Sequence, residues 1–112
     1  MDLARESING FEVIRIRDDI EPRMDLEEVR AAVGELIEQG HTSIALSFTP
    51  SSHLDSRAIG GLAKCVELVR SHKGRLAIVQ PNREIADFLR IVGFVRHVEI
   101  CSTEAELGFS RQ

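Results

Sequence analysis

Apolar residues along the chain recur in two rhythms, one of period two and one near 3.6, and the two alternate. Residues 11–17, Phe-Glu-Val-Ile-Arg-Ile-Arg, alternate in polarity and predict a strand with one wetter face. Asn9-Gly10 just before them is a hairpin-turn signal, so the weaker segment 3–8 is read as the strand's antiparallel partner. After a loop at 18–22, Leu26, Val29, Val33, Leu36 and Ile37 follow at helical spacing. Asp25 and Glu28 stand three apart, as in a capping box, and Gly40 stops that helix. Residues 43–48 are apolar enough for a central strand. Ile59, Leu62, Val66 and Val69 mark a second helix ended by Lys73-Gly74. Residues 76–79 form another buried strand, stopped by Pro81. Asn82 caps a third helix with Ile85, Phe88, Leu89 and Val92 on its core face and Gly93 at its end. A last strand lies within 94–100, and Ser102 or Thr103 caps a short fourth helix.

This order predicts an α/β fold. After the opening hairpin every strand is followed by a helix, which requires parallel strands joined by right-handed crossovers. The expected architecture is a mixed, mainly parallel sheet opened by a β-hairpin, with about four helices packed against it. The junction that follows the 43–48 strand then lies at a carboxyl end, where open α/β sheets place their working sites.

That junction reads Ser51-Ser52-His53-Leu54-Asp55-Ser56-Arg57-Ala58-Ile59-Gly60-Gly61-Leu62. An acid, a hydroxyl and a base meet where a helix begins. The first amides of a helix lack partners within it, and the helix dipole makes that end positive. Ser56 there either caps the helix or carries a phosphate that the same amides stabilise. Arg57 is either a solvent-facing residue of the first turn or a charge partner for that phosphate. Gly60 and Gly61 each cost a helix about 1 kcal/mol relative to alanine, so they suggest that another backbone, or a partner, comes close.

Asp55-Ser56-Arg57-Ala58-Ile59-Gly60 resembles the Asp-Ser-Ser-Gly-Leu-Gly signature of STAS domains, the sulphate transporter and anti-sigma factor antagonist family. Residues 44–62 align with the family's strand, loop and Ser-bearing helix without a gap. Residues 74–79 are similar to its glycine-led strand, and 88–94 to its helix end. Departures are Arg57 and Ala58 in place of a small residue and glycine, Ser47 where many members have Asp, and Glu21-Pro22-Arg23 in place of a Gly-x-Leu-Asp loop.

The resemblance implies a non-enzymatic, phosphorylation-controlled binding module of the antagonist branch. Ser56 is then the phosphorylated residue. His53, Asp55, Arg57, Ala58, Gly60 and Gly61 are the expected partner-binding residues. The implied partners are an anti-sigma factor or related serine kinase and a resetting serine phosphatase, the domain itself being a monomer or weak dimer without cofactor or metal. Two alternatives stay open: a non-switching scaffold or accessory subunit in which Ser56 is only a cap, and a small-ligand (nucleotide) binding STAS domain.

Composition narrows the choices. The 112 residues suit a single domain spanning 1–112, and 43% hydrophobic with 29% charged residues is a globular profile. A formal net charge of -4, with no Trp or Tyr, gives no footing for nucleic acid. The N-terminus has no signal-peptide core and no run is long enough to span a bilayer, so the expected location is the cytoplasm without membrane insertion. Cys65 and Cys101 have no metal-ligand spacing, and His41, His53, His72 and His97 are scattered.

Two rival chemistries have some footing in the sequence. His53, Asp55 and Ser56 contain the residue types of a hydrolase triad, but near-neighbours in one turn cannot easily form its hydrogen-bond chain. Asp18 and Asp19 suggest the acidic pair of a receiver domain. The opening hairpin and the positions of Lys64 and Lys73 disagree with that, and a solvated turn is the plainer reading.

Overall fold

A computed structural model describes residues 1–79, 82–91, 93 and 96–108, and the side chain of Phe88 lies outside the description. The expectations for Pro81, Phe88, Val92 and Phe94 therefore fall outside the described residues.

Strand β1 (Leu3–Ile8) pairs antiparallel with β2 (Phe11–Ile16), Ile8 opposite Phe11. Asn9 and Gly10 between them have φ of 51° and 89°. Positive φ at both central residues matches the right-handed twist of the flanking strands. Three parallel pairings follow, through β3 (Ser43–Ser47), β4 (Arg75–Val79) and β5 (Val98–Cys101), in the order β1-β2-β3-β4-β5. Because the parallel strands lie side by side in chain order, three crossovers of one hand carry α1 (Glu27–Glu38), α2 (Ser56–Ser71) and α3 (Arg83–Ile91) to a single face. Among the described residues no helix is long and apolar enough to cross a membrane.

The mixed, mainly parallel sheet and its opening hairpin are as expected; the helix count is not. Where a fourth helix was predicted there is one 3-10 turn, Glu104–Glu106. Thr103 precedes it without a side-chain cap, and Glu106 instead reaches back to accept the Ser102 N–H at 2.7 Å. The capping box of α1 is also absent. Leu26 is the N-cap, Asp25 Oδ1 accepts only the Glu27 N–H at 3.1 Å, and Glu28 turns to the Met1 amino group at 3.3 Å.

Alternation along the strands divides the core in two. Ile14, Ile16, Ile44, Leu46, Leu76, Ile78 and Val98 face the helices. On α2 the buried stripe is Ala58, Leu62, Cys65, Val66 and Val69, and Ile59, predicted for it, sits half-buried at its edge. The opposite face carries Phe11, Val13, Ala45, Ala77, Val79 and Cys101, and Leu107 closes over them. Small residues at its centre let one 3-10 turn do what a helix does elsewhere. Arg15 ties that turn down by donating to both Glu104 oxygens at 2.8 and 2.6 Å while also meeting Glu6 at 2.6 Å. Arg75 lies 5.0 Å over the Phe11 ring and donates to Glu99. The Cys65 thiol is pushed up to about 12 by burial, which keeps it protonated and unreactive.

Gly61 has an internal reason. A Cβ built there would lie 3.0 Å from Leu26 Cβ and 3.4 Å from Leu26 N, so the backbone that comes close belongs to the start of α1. Of the two readings of Gly61, another backbone or a partner, the close approach seen is that of another backbone: the glycine lets α2 pack onto its neighbour. Gly61→Leu should destabilise the isolated chain by about 1–3 kcal/mol through overpacking. Leu62→Ala, which empties a fully buried site, should cost roughly 2–5 kcal/mol. Denaturant midpoints check both, and losses below about half a kcal/mol for the pair would contradict this packing of α2.

Candidate functional site

The chain leaves β3 at the carboxyl edge of the sheet and crosses to α2 through residues 48–55. Asp55, in extended backbone (φ -95°, ψ -175°), is the N-cap of α2. Its Oδ1 accepts the Arg57 and Ala58 N–H groups, each at 3.1 Å. Ser56 is consequently the first helical residue and not the cap. It is exposed, and its hydroxyl makes no hydrogen bond among the described residues. The reading of Ser56 as a cap is thus overturned. So is the idea that the Arg57 and Ala58 amides stand open for a phosphate, because Asp55 already occupies them.

The other oxygen of Asp55 reaches across the site. Oδ2 accepts the Arg23 N–H at 2.8 Å, and Arg57 Nη1 donates to the Arg23 carbonyl at 3.1 Å. Arg23 belongs to a tight turn closed by Met24 N–H donating to Glu21 O at 3.1 Å. Pro22 precedes it, and Arg23 itself has φ 76°, the left-handed value of the third position of a type II turn, where Gly or Asn is usual. The Arg23 N–H, then the Ala58 and Arg57 N–H groups, hold the Asp55 carboxyl below the usual range, with the Arg57 charge adding to them.

A second set of contacts braces the loop. Ser52 is fully buried; its Oγ accepts the Ile20 N–H at 2.9 Å and lies 2.8 Å from Thr49 Oγ1. The His53 N–H donates to Ile20 O at 2.7 Å. Asn82 Nδ2 donates to the Pro50 and Ser52 carbonyls at 3.1 and 2.6 Å, while its Oδ1 accepts the Ile85 N–H at 2.8 Å. Asn82 thus both caps α3, as predicted, and fastens the loop before α2. Arg23 and Ser52 join the site only through contacts that the fold creates. The Pro22 turn was the available signal for Arg23; Ser52 had none, since its partner lies 32 residues away.

The predicted site residues separate by geometry. His53, Ser56, Arg57 and Gly60 are exposed, with Asp55 half-buried between them. Ala58 is fully buried in the core, so the expectation that it touches a partner is corrected: its methyl points under α2. At Gly60 an added Cβ would meet nothing within 4 Å, so no internal contact demands this glycine. Ser56 and Gly60, four apart, share one helix face. The triad residues diverge: His53 Nδ1 lies 2.8 Å from Glu84 Oε1, and Asp55 is committed to amides. Asp18 accepts the Asp2 N–H at 2.7 Å and Asp19 a hydrogen bond from Thr49, both structural roles. Away from Ser56, an open cleft of about 530 Å³ between α1 and α2 is lined by Glu27, Arg30, Lys64, Glu67, Leu68 and Ser71. Its Arg30 is already bound to Glu27, at 2.6 Å for the shortest contact.

Because the folded Asp55 carboxyl titrates below its ordinary value of 3.8, its contribution to stability is fully present above that pH. It is lost as pH falls through the lower, folded value. Thermal melts between roughly pH 5 and pH 2 should therefore decline less steeply for Asp55→Asn than for the wild type. Equal slopes would mean that these hydrogen bonds do not favour the ionised form.

Comparison with known proteins places this geometry. No curated protein matches the sequence. A putative anti-sigma factor antagonist from Thermotoga maritima superposes with a TM-score of 0.72 at 18% identity, covering 93% of this chain and 89% of that one. The phosphorylated form of the Bacillus cell fate determinant SpoIIAA gives 0.72 at 20% identity, covering 98% of this chain and 100% of that one. The unphosphorylated form of SpoIIAA, an anti-sigma factor antagonist, gives 0.63 at 23% identity over 88% and 86%. At such identities the likeness is one of fold. The STAS domain family model matches residues 6–107, nearly the whole chain, and the protein therefore belongs to the STAS domain family.

Proposed function

We propose that this STAS domain is a phosphorylation-controlled binding module that switches partners through Ser56. The observation that carries the reading is the division of labour at the start of α2. Asp55 does the capping, and the exposed Ser56 hydroxyl is left without a structural task. Unmodified, the domain docks an anti-sigma factor or related serine kinase in the cytoplasm, using His53, Ser56, Arg57 and Gly60. The kinase transfers the γ-phosphoryl group of ATP to Ser56 Oγ, whose proton leaves, and ADP is released. A serine phosphatase later hydrolyses the ester. The chain itself catalyses nothing; it offers a surface whose charge changes. A phosphoserine adds about -1.5 to -2 charges beside an ionised Asp55. Since α2 keeps its Asp55 cap, the helix need not unfold for binding to be lost. That SpoIIAA exists in a phosphorylated form supports the idea that this fold tolerates the modification.

Incubation with a cognate serine kinase and ATP should add one phosphate at Ser56, read by site-resolved mass spectrometry, and Ser56→Ala should abolish it. Thr49 and Ser51 are the competing hydroxyls; Ser52 is buried. Phosphate persisting in the mutant at Thr49 or Ser51 would refute the site. No phosphate in either protein, with binding intact, would favour the non-switching scaffold.

Gly60 offers a separate check. Gly60→Leu should weaken kinase binding by about tenfold or more, as expected for a residue at the centre of an interface, while leaving the melting temperature near that of the wild type. Unchanged binding would remove Gly60 from the docking surface.

A further inference from the structure

We infer that phosphate on Ser56 releases the 21–25 turn from the start of α2, so that turn and helix present one docking surface only in the unmodified protein. This rests on the switch reading above and adds to it a moving part. Arg23 holds a left-handed backbone, φ 76°, that residues with a side chain rarely adopt. The turn is closed by its own Met24 N–H to Glu21 O bond, and two further contacts tie Arg23 to the start of α2; these two come from the residues on either side of Ser56. Asp55 Oδ2 takes the Arg23 N–H, and Arg57 Nη1 holds the Arg23 carbonyl. Both contacts are exposed, so water replaces them readily when the geometry changes.

A phosphate between these residues acts on both contacts. Its charge opposes the Asp55 carboxylate. Its oxygens are stronger acceptors for the Arg57 guanidinium than a neutral carbonyl is. Once Arg57 turns to the phosphate, the Arg23 carbonyl loses its donor and the strained backbone loses a restraint.

The extent of release is also set by the structure. On one side the N–H and carbonyl of Ile20 are both held, by Ser52 Oγ and the His53 N–H, and Ile20 is fully buried. On the other side Leu26 is fully buried against Gly61. Glu21, Pro22, Arg23, Met24 and Asp25 lie between these anchors, all exposed except the half-buried Met24. Two discrete states of one turn, biased by a neighbouring charge, are what a local switch requires.

The test uses the full chain with phosphoserine installed at position 56 during translation, so that no kinase is needed. Amide hydrogen exchange read by NMR should rise about tenfold or more at Arg23, with the Ile20 and β4 amides unchanged. In the unmodified chain Arg57→Ala should raise Arg23 exchange at least about threefold. Arg23→Gly, which accepts the left-handed backbone without strain, should respond to phosphoserine less than the wild type does. Arg23 exchange that ignores both phosphoserine and Arg57→Ala would overturn the coupling. Binding of the serine kinase, measured on the same samples, separates the two ideas. Binding lost with Arg23 unmoved sinks the coupling and leaves the switch, whereas Arg23 released with binding intact sinks the switch and removes the turn from the docking surface, leaving only its coupling to the phosphate.

Discussion

One carboxylate connects the two halves of the site. Asp55 gives Oδ1 to the first amides of α2 and Oδ2 to the turn that precedes α1. A negative group at a helix start is favoured by the dipole and by the unpaired amides together. Here it also sets the role of the next residue. Had Ser56 been the cap, esterifying its hydroxyl would have cost the helix its first hydrogen bonds, and modification would have meant local unfolding. With Asp55 in that place, Ser56 can change its charge while the helix it begins stays formed. The separation of structural and signalling duties between adjacent residues is the physical basis of the proposed function.

Topology decides where this arrangement sits. Parallel strands laid down in chain order send all three helices to one face, and every strand-to-helix loop then emerges at the carboxyl edge. The loops at 18–25 and 48–55 and the start of α3 meet there, fastened by Ser52, Asn82 and the His53–Glu84 contact. The opposite sheet face takes no part. It is thin, with Ala45 and Ala77 at its centre and Leu107 over them; Arg15 there is spent on holding the 3-10 turn and Arg75 on Glu99.

What was legible in the sequence was what depends on near neighbours. The Asn9-Gly10 turn and the stripe of α1 follow from residues a few positions apart and appear where expected. Of the α3 stripe, Ile85 and Leu89 are buried as expected. The β2 strand, expected to have one wetter face, instead buries Phe11 and Val13 on one side and Ile14 and Ile16 on the other. Errors arose where a distant residue intervenes. Ile59 looked like a core residue by hydrophobicity, yet Ala58 and Cys65 fill the buried stripe because α2 lies close to its neighbours. Gly61 and Gly60 looked equivalent, and only the position of Leu26 tells them apart. The last helix failed because Glu106 folds back on Ser102 after a single turn. The pairing of Arg23 with Asp55 and Arg57 spans 32 and 34 residues, beyond any local pattern.

Ser52 and Ser56 show that the loop's fold, and not its composition, decides which hydroxyl is open to a kinase. Both are serines of one short polar segment, and a residue count alone treats them alike. Ser52 is fully buried, its oxygen engaged with Ile20 and Thr49 and its carbonyl with Asn82. Placing a phosphate there would unfasten the loop from both the 18–25 segment and α3 and would bury a dianion, which the interior does not tolerate without a partner. Ser56 stands four residues on, exposed, with its cap supplied by another side chain. A kinase needs a hydroxyl that its own active site can reach, and a reversible switch needs a site whose modification leaves the fold standing. In this segment burial and the contacts to Ile20, Thr49 and Asn82 take Ser52 out of reach, while the Asp55 cap leaves the Ser56 hydroxyl exposed.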